Sequence, residues 1–209
     1  RVHRWIERVT FDDPLDLLAI DLGSTRRDES PGIGEAVRSS VFLVCTNGRH
    51  DPCCADFGRP VIRALRDAGV EVWESSHVGG DRFAANVVCL PTGVYFGRVE
   101  PEEAAGLLHD HDAGVLDLDR FRGRSCFPQP VQAAEILARH EMGERGLHAL
   151  RLDQWRWLDD DRAEVRFHHQ EALVTVTVAR RPAPAAALTC SDEPRPTWQY
   201  ELGAPVSGS

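Results

Sequence analysis

The run VFLVC at residues 41–45 limits more than any other stretch what this chain can become. Five apolar residues in succession leave no face for water, which is the pattern of a strand buried on both sides. After a polar loop, ADFGRPVIRALRDAG carries Val61, Ile62 and Leu65 at helical spacing and closes on Gly69, and VEVWES reads as a second strand. Strand, helix and strand in that order make a βαβ unit with a right-handed crossover.

The segments that follow extend the unit. HVGGDRFAAN holds a short helix opened by Asp81, VVCLP and VYFGRV are two strands joined by TG, and PEEAAGLLHDH is a helix with proline in its first turn. The order βαβαββα over residues 40–112 predicts an α/β, thioredoxin-like domain. Residues 113–146 extend it with the loop RFRGRSCFPQP and the amphipathic helix PVQAAEILARHEMG. In the tail, LHALRLDQWRWL, RAEVRFHH, ALVTVTVARR and TWQYEL read as strands separated by DDD and RPAPAAA, which predicts a small C-terminal β-rich lobe. Ahead of residue 37 the pattern is weak: a strand within Val2–Val9, an apolar stretch at Leu15–Leu22 and the polar loop GSTRRDESPGIGE. The expected division is an N-terminal extension at 1–36, a thioredoxin-like domain with its helical extension at 37–146, and the lobe at 147–209.

Charge and composition exclude several functions. A net charge of -9 argues against an electrostatic grip on nucleic acid or an anionic membrane. No apolar run approaches the roughly 20 residues of a bilayer span. Arginine is the sole basic residue besides histidine, and alanine is frequent, which resembles the codon bias of a GC-rich bacterial genome. The chain opens on Arg1 with no signal pattern after it, so it reads as a trimmed or processed form. Six cysteines, three of them within ten residues, do not form the dense framework of a small secreted domain; a reducing cytoplasm with metal-binding or redox thiols fits better. Neither a dinucleotide-binding glycine run nor a phosphate-binding loop is present, and no acidic pair stands out as catalytic.

The thiols carry the sharpest signal. Cys45 ends the first strand of the βαβ unit, and Cys54 opens its helix with eight residues between them. The loop between can fold back and bring both sulfurs to one centre. Backbone N–H groups at the helix start are expected to favour the thiolate of Cys54. The second strand leads into SSHVGGD, with His77 and, four positions on, Asp81; the two glycines between them let backbone pass close to a bulky inorganic group.

CTNGRHDPCCADFGRPV, WESSHVGGDRFAANVVCLP, GVYFGRV and GRSCFPQPVQAAE together resemble the sucrase/ferredoxin-like family, whose members are thioredoxin-like ferredoxins. The resemblance covers roughly Val41 to Glu135. It implies a [2Fe-2S] cluster held by a Cys-x8-Cys pair on one iron and a His-x3-His pair on the other. Those positions fall on Cys45, Cys54 and His77, with Asp81 where the second histidine is expected. Asp81 has three readings: a harder, more anionic ligand; an N-cap for RFAAN; or a bystander whose place is taken by Cys53 or Cys89. Cys89 reads as core, Cys126 and Cys190 as structural and remote from the site, His50 as solvent-facing with the alternative of tuning the sulfurs by hydrogen bonding, and His109 and His111 as surface. His168 and His169 alternate along a strand and cannot share a metal.

The resulting expectation is a non-catalytic electron carrier served by a reductase and an acceptor protein, with a potential that depends on pH through His77. Two alternatives stand beside it. One is a thiol-disulfide oxidoreductase using Cys54 as nucleophile with Cys45 or Cys53 resolving. The other is a cluster-free or zinc-binding structural protein using Cys45, Cys54, His77 and Asp81.

Overall fold

A computed structural model describes residues 5–21, 23 and 29–203. In chain order the strands are β1 (Glu7–Arg8), β2 (Glu35–Ala36), β3 (Val41–Cys45), β4 (Val72–Ser75), β5 (Val87–Leu90), β6 (Val94–Phe96), β7 (Phe121–Arg124), β8 (Leu150–Trp157), β9 (Arg162–His169), β10 (Ala172–Ala186) and β11 (Arg195–Leu202). The helices are α1 (Pro52–Asp67), α2 (Pro101–Asp112) and α3 (Gln129–Met142), and 3-10 turns lie at Pro14–Ala19 and Asp81–Phe83.

The apolar run at 41–45 forms the inner strand of a five-stranded sheet ordered β4-β3-β5-β6-β7. β3 and β4 are parallel, as the crossover helix α1 requires, and the remaining pairs are antiparallel. Val61, Ile62 and Leu65 of α1 and Leu107 and Leu108 of α2 bury against Phe42 and Val44 of β3, with Val87 and Phe96 beside them. Each such side chain contributes roughly 1.5–3 kcal/mol relative to exposure, so this layer fixes α1 on the sheet. A parallel βαβ pair followed by an antiparallel hairpin and a helix on the same core is the thioredoxin-like fold that the sequence predicts.

β7 is a difference. RFRGRSCFPQP reads as a loop because of its arginines, yet Phe121–Arg124 pairs with β6. Phe121 is fully buried, and the charge of Arg124 is met by Glu135 of α3 at 3.1 Å, so a polar-looking segment enters the sheet with its charge paired.

The C-terminal region is an antiparallel sheet ordered β11-β10-β9-β8. Ala163, Val165 and Phe167 alternate inward along β9 and meet Val131, Ala134 and Ala138 of α3. β10 runs through RPAPAAA, which the sequence marks as a separator. It pairs with β9 from Ala172 to Ala179 and with β11 from Val178 onward, so Pro182 and Pro184 lie where β10 has a neighbour on one side alone and a missing N–H costs the ladder little. Near the start, the expected strand narrows to β1; residues 2–4, Leu22 and residues 24–28 of the polar loop lie outside the described residues.

Candidate metal centre

Cys45 closes β3, where its N–H donates to the Asn86 carbonyl at 3.1 Å. The chain then doubles back to Asp51, whose Oδ1 accepts from the Cys53 N–H at 2.8 Å and caps α1 immediately ahead of Pro52. That cap sets the phase of the first turn, so Cys54 faces inward beside Cys45, and both are buried. Gly58, one turn further, permits the approach: a Cβ there would collide with the Cys45 carbonyl, so a larger residue would lift α1 off the end of β3.

The second loop leaves β4 at Ser75. Gly79 and Gly80 take φ values of 86° and 75°, a left-handed bend that L side chains resist. Asn86 donates to the Gly80 carbonyl at 2.9 Å and the Tyr95 hydroxyl to the Val78 carbonyl at 3.2 Å, which holds the bend over the two thiols. As a result Cys54 Sγ donates to Asp81 Oδ1 at 3.2 Å, and His77 Nδ1 stands 3.2 Å from the same oxygen. The four positions expected from the sequence, Cys45, Cys54, His77 and Asp81, are thus brought together at one end of the sheet.

A fifth residue joins them. His50 Nε2 lies 3.3 Å from Asp81 Oδ2, and its ring centroid is 3.8 Å from that of His77. Sequence reasoning made His50 solvent-facing, and its side chain is indeed 46% exposed, but it also lines the site. The missed signal was its place on the loop between the two cysteines: a loop closed on one centre keeps every side chain it carries near that centre. Exposure grades outward, from the buried thiols through Asp81 at 8% to His77 at 38%. The donor atoms of His50, His77 and Asp81 lie within 4.8 Å of one another.

Three expectations about the neighbours change. Burial, then the hydrogen bond to Asp81 and the Cys45 thiol, push the Cys54 thiol far above its usual value, so the helix-terminus effect expected to favour its thiolate is outweighed. A nucleophilic cysteine needs thiolate character and access, and Cys54 has neither. Asp81 does not act as an N-cap: Gly80 holds that position, and the carboxylate faces the thiol and the two imidazoles. Cys190, expected to lie away from the site, forms a disulfide with Cys53 across 6.1 Å between Cα atoms, and its N–H donates to Asp51 Oδ2 at 2.7 Å. That pairing removes Cys53 as a ligand and ties the β10–β11 connection to the start of α1.

Other thiols and imidazoles among the described residues have partners elsewhere or lie in the core or at the surface. Cys89 is packed in the core, where burial raises its thiol, and Cys126 is exposed. His111, expected at the surface, is buried, with Nε2 2.9 Å from Thr92 Oγ1 and its ring edge-on to Phe42. His168 and His169 pair separately, with Asp153 and Glu144.

Cys54 reaches Asp81, Cys45 lies beside Cys54, and His77 and His50 face the same carboxylate; thiol, imidazole and carboxylate are the donor types of zinc and iron-sulfur sites, so the residues present fit such a group. The fold and these donors define a thioredoxin-like chain with a gathering of metal-ligating side chains at one end of its main sheet. The sequence model of the sucrase/ferredoxin-like family matches residues 4–123, more than half of the chain, and the chain belongs to that family.

Curated relatives include the proteins named altered inheritance of mitochondria protein 32 from Meyerozyma guilliermondii and Debaryomyces hansenii. The first is 28% identical over 99 residues, 42% of this chain and 35% of the relative. The second is 29% identical over 85 residues, 35% of this chain and 31% of the relative. The match thus spans about a third of each relative's length. Among solved structures, a thioredoxin-like [2Fe-2S] ferredoxin from Aquifex aeolicus is 20% identical with a TM-score of 0.37, over 44% of this chain and 97% of its own. A cysteine-to-serine variant of it is 19% identical with a TM-score of 0.37, over 41% of this chain and all of its own. At those scores the fold assignment rests on the strand order and directions above. Among the described residues no helix is long and apolar enough to cross a membrane.

Proposed function

We propose that this chain is an electron carrier that holds a [2Fe-2S] cluster through Cys45, Cys54, His77 and a fourth donor from the Asp81 edge of the site. The observation that carries the reading is the convergence of two buried thiols with an imidazole and a carboxylate, supplied by two separate stretches of chain, Cys45–Cys54 and His77–Asp81. When bound, the cluster accepts and returns a single electron.

The chain's own residues have three tasks. Cys45 and Cys54 bind at the buried end and exclude water. Asp81 Oδ1 lies where it can receive the Cys54 proton, which must leave for the sulfur to bind metal. His77, on the side open to solvent, offers a short route to a docked reductase or acceptor protein. The test is an anaerobic visible and EPR spectrum followed by redox cycling. The expected result is a brown-red protein that bleaches on reduction, gains a rhombic EPR signal and recovers its colour on oxidation. A colourless protein that reduces a model disulfide in a cysteine-dependent way would replace this reading with an oxidoreductase.

One observation favours a second reading, a single zinc ion. Tetrahedral bonds of zinc's usual lengths place neighbouring ligand atoms roughly 3.4–3.6 Å apart. The Cys54–Asp81 and His77–Asp81 contacts, both 3.2 Å, are close to that spacing. Zinc leaves the protein colourless and EPR-silent, so the same spectra separate the two.

A further inference from the structure

Asp81 is the carboxylate on which the site turns, and both of its oxygens are engaged. Oδ1 receives the Cys54 thiol and faces His77 Nδ1, while Oδ2 faces His50 Nε2. A carboxylate that takes one ring N–H of a histidine fixes the ring's tautomer and orientation and leaves its other nitrogen with a lone pair for a metal. Here one carboxylate stands 3.2 Å from Nδ1 of His77 and 3.3 Å from Nε2 of His50, within charge-pairing reach of both rings. The rings lie 3.8 Å apart and tilted by 48°, at the outer edge of a site whose sulfurs are buried.

The other sources of a fourth ligand are spoken for. Cys53 is joined to Cys190, and Cys89 is packed in the core. Between Asp81 and His50, the imidazole is the softer donor and adds no negative charge beside two thiolates. His50 also lies on the loop that joins the two cysteines, so the binding of those cysteines brings it along.

We propose that His50 supplies the fourth ligand and that Asp81 is a positioning residue holding the imidazoles of His50 and His77. The site then carries two thiolates from the β3–α1 connection, one imidazole from that same connection and one from the β4–β5 connection. This rests on the cluster reading of the preceding subsection. It differs from an Asp81-ligated site in the number of nitrogens bound to iron.

The experiment uses the full chain, loaded anaerobically with ferrous iron and sulfide, reduced with dithionite and examined by pulsed EPR for strongly coupled nitrogen. The wild type is expected to give two imidazole couplings. His50→Ala loses one of them, Asp81→Asn keeps both with altered strengths, and His50→Cys restores a full shell with one coupling and a lower potential. Circular dichroism checks that each variant is folded. Two couplings surviving in His50→Ala would overturn the assignment, as would a single coupling in the wild type whose g values move only in Asp81→Asn. If the wild type takes up no iron and sulfide at all, the cluster reading itself fails, and that outcome is visible in the absorption spectrum before any nitrogen is counted.

Discussion

Two buried carboxylates in this chain are held in opposite ways. Glu135 of α3 is 0% exposed and is clamped by Arg124 Nε at 3.1 Å and Arg139 Nη2 at 3.0 Å. Those arginines give further donors to the carbonyls of Leu147, Glu144 and Gly146. Asp81 is almost as buried, but its partners are a thiol and two imidazoles. Arginine keeps its proton, so the Glu135 knot is a permanent joint between β7, α3 and the segment leading to β8. Each partner of Asp81 can give up a proton, and a gathering of such groups can exchange protons for a metal ion. Burial of a charge therefore does not by itself mark a functional site; the chemistry of its partners does.

The largest effect that tests this contrast belongs to the joint. Glu135→Ala strands two buried arginines and should cost about 3–5 kcal/mol in urea unfolding, while the metal bound per folded chain stays unchanged. A loss below about 1 kcal/mol would mean that the arginines find water, and the contrast would fail. Next is the covalent tie. Cys190→Ser opens a disulfide whose partners are 137 residues apart and should cost about 2–4 kcal/mol, read as a fall in Tm, with the metal spectrum retained. Loss of the spectrum would place that pair inside the site.

A third buried group sharpens the comparison through pH. Burial holds His111 below its ordinary pKa, against an opposing pull from Asp112 and with smaller contributions from Arg124 and His148. The unfolded chain therefore takes up a proton at a pH where the folded chain does not. The His111 contribution is intact above the unfolded value of about 6.5 and is lost as pH falls below it, by up to about 1.4 kcal/mol per unit. Stability measured from pH 8 to 5 should show that slope, and His111→Gln should flatten it; an unchanged slope would place the titrating group elsewhere. Smallest for stability is His50→Ala, within about 0.5 kcal/mol because the ring is half exposed, although it alters the metal spectrum. A large stability loss there would make His50 a structural residue and return it to the same class as Glu135.

The βαβ core was legible because its signal is local. VFLVC, the helical spacing of Val61, Ile62 and Leu65, and the closing glycine each point to one element, and the packing of those elements agrees. β7 was not legible, because the pairing that lets Arg124 enter the sheet comes from Glu135, eleven residues on in a different element. The same holds at the site. Spacing indicated Cys45, Cys54 and His77, but the contact between His50 and Asp81 and the pairing of Cys53 with Cys190 are long-range facts that depend on how loops fold over one another. The expected thiolate at Cys54 failed for a related reason: the helix start was readable, whereas the burial and the carboxylate opposing it were not.

The most direct test of the central claim is an assay of iron, acid-labile sulfide and zinc in anaerobically purified chain, wild type beside the Cys45→Ser/Cys54→Ser double variant. Iron and sulfide in equal amounts, approaching two of each per wild-type chain and absent from the double variant, is the predicted result. A wild type with one equivalent of zinc, or one that stays free of metal after loading while remaining folded, would contradict it.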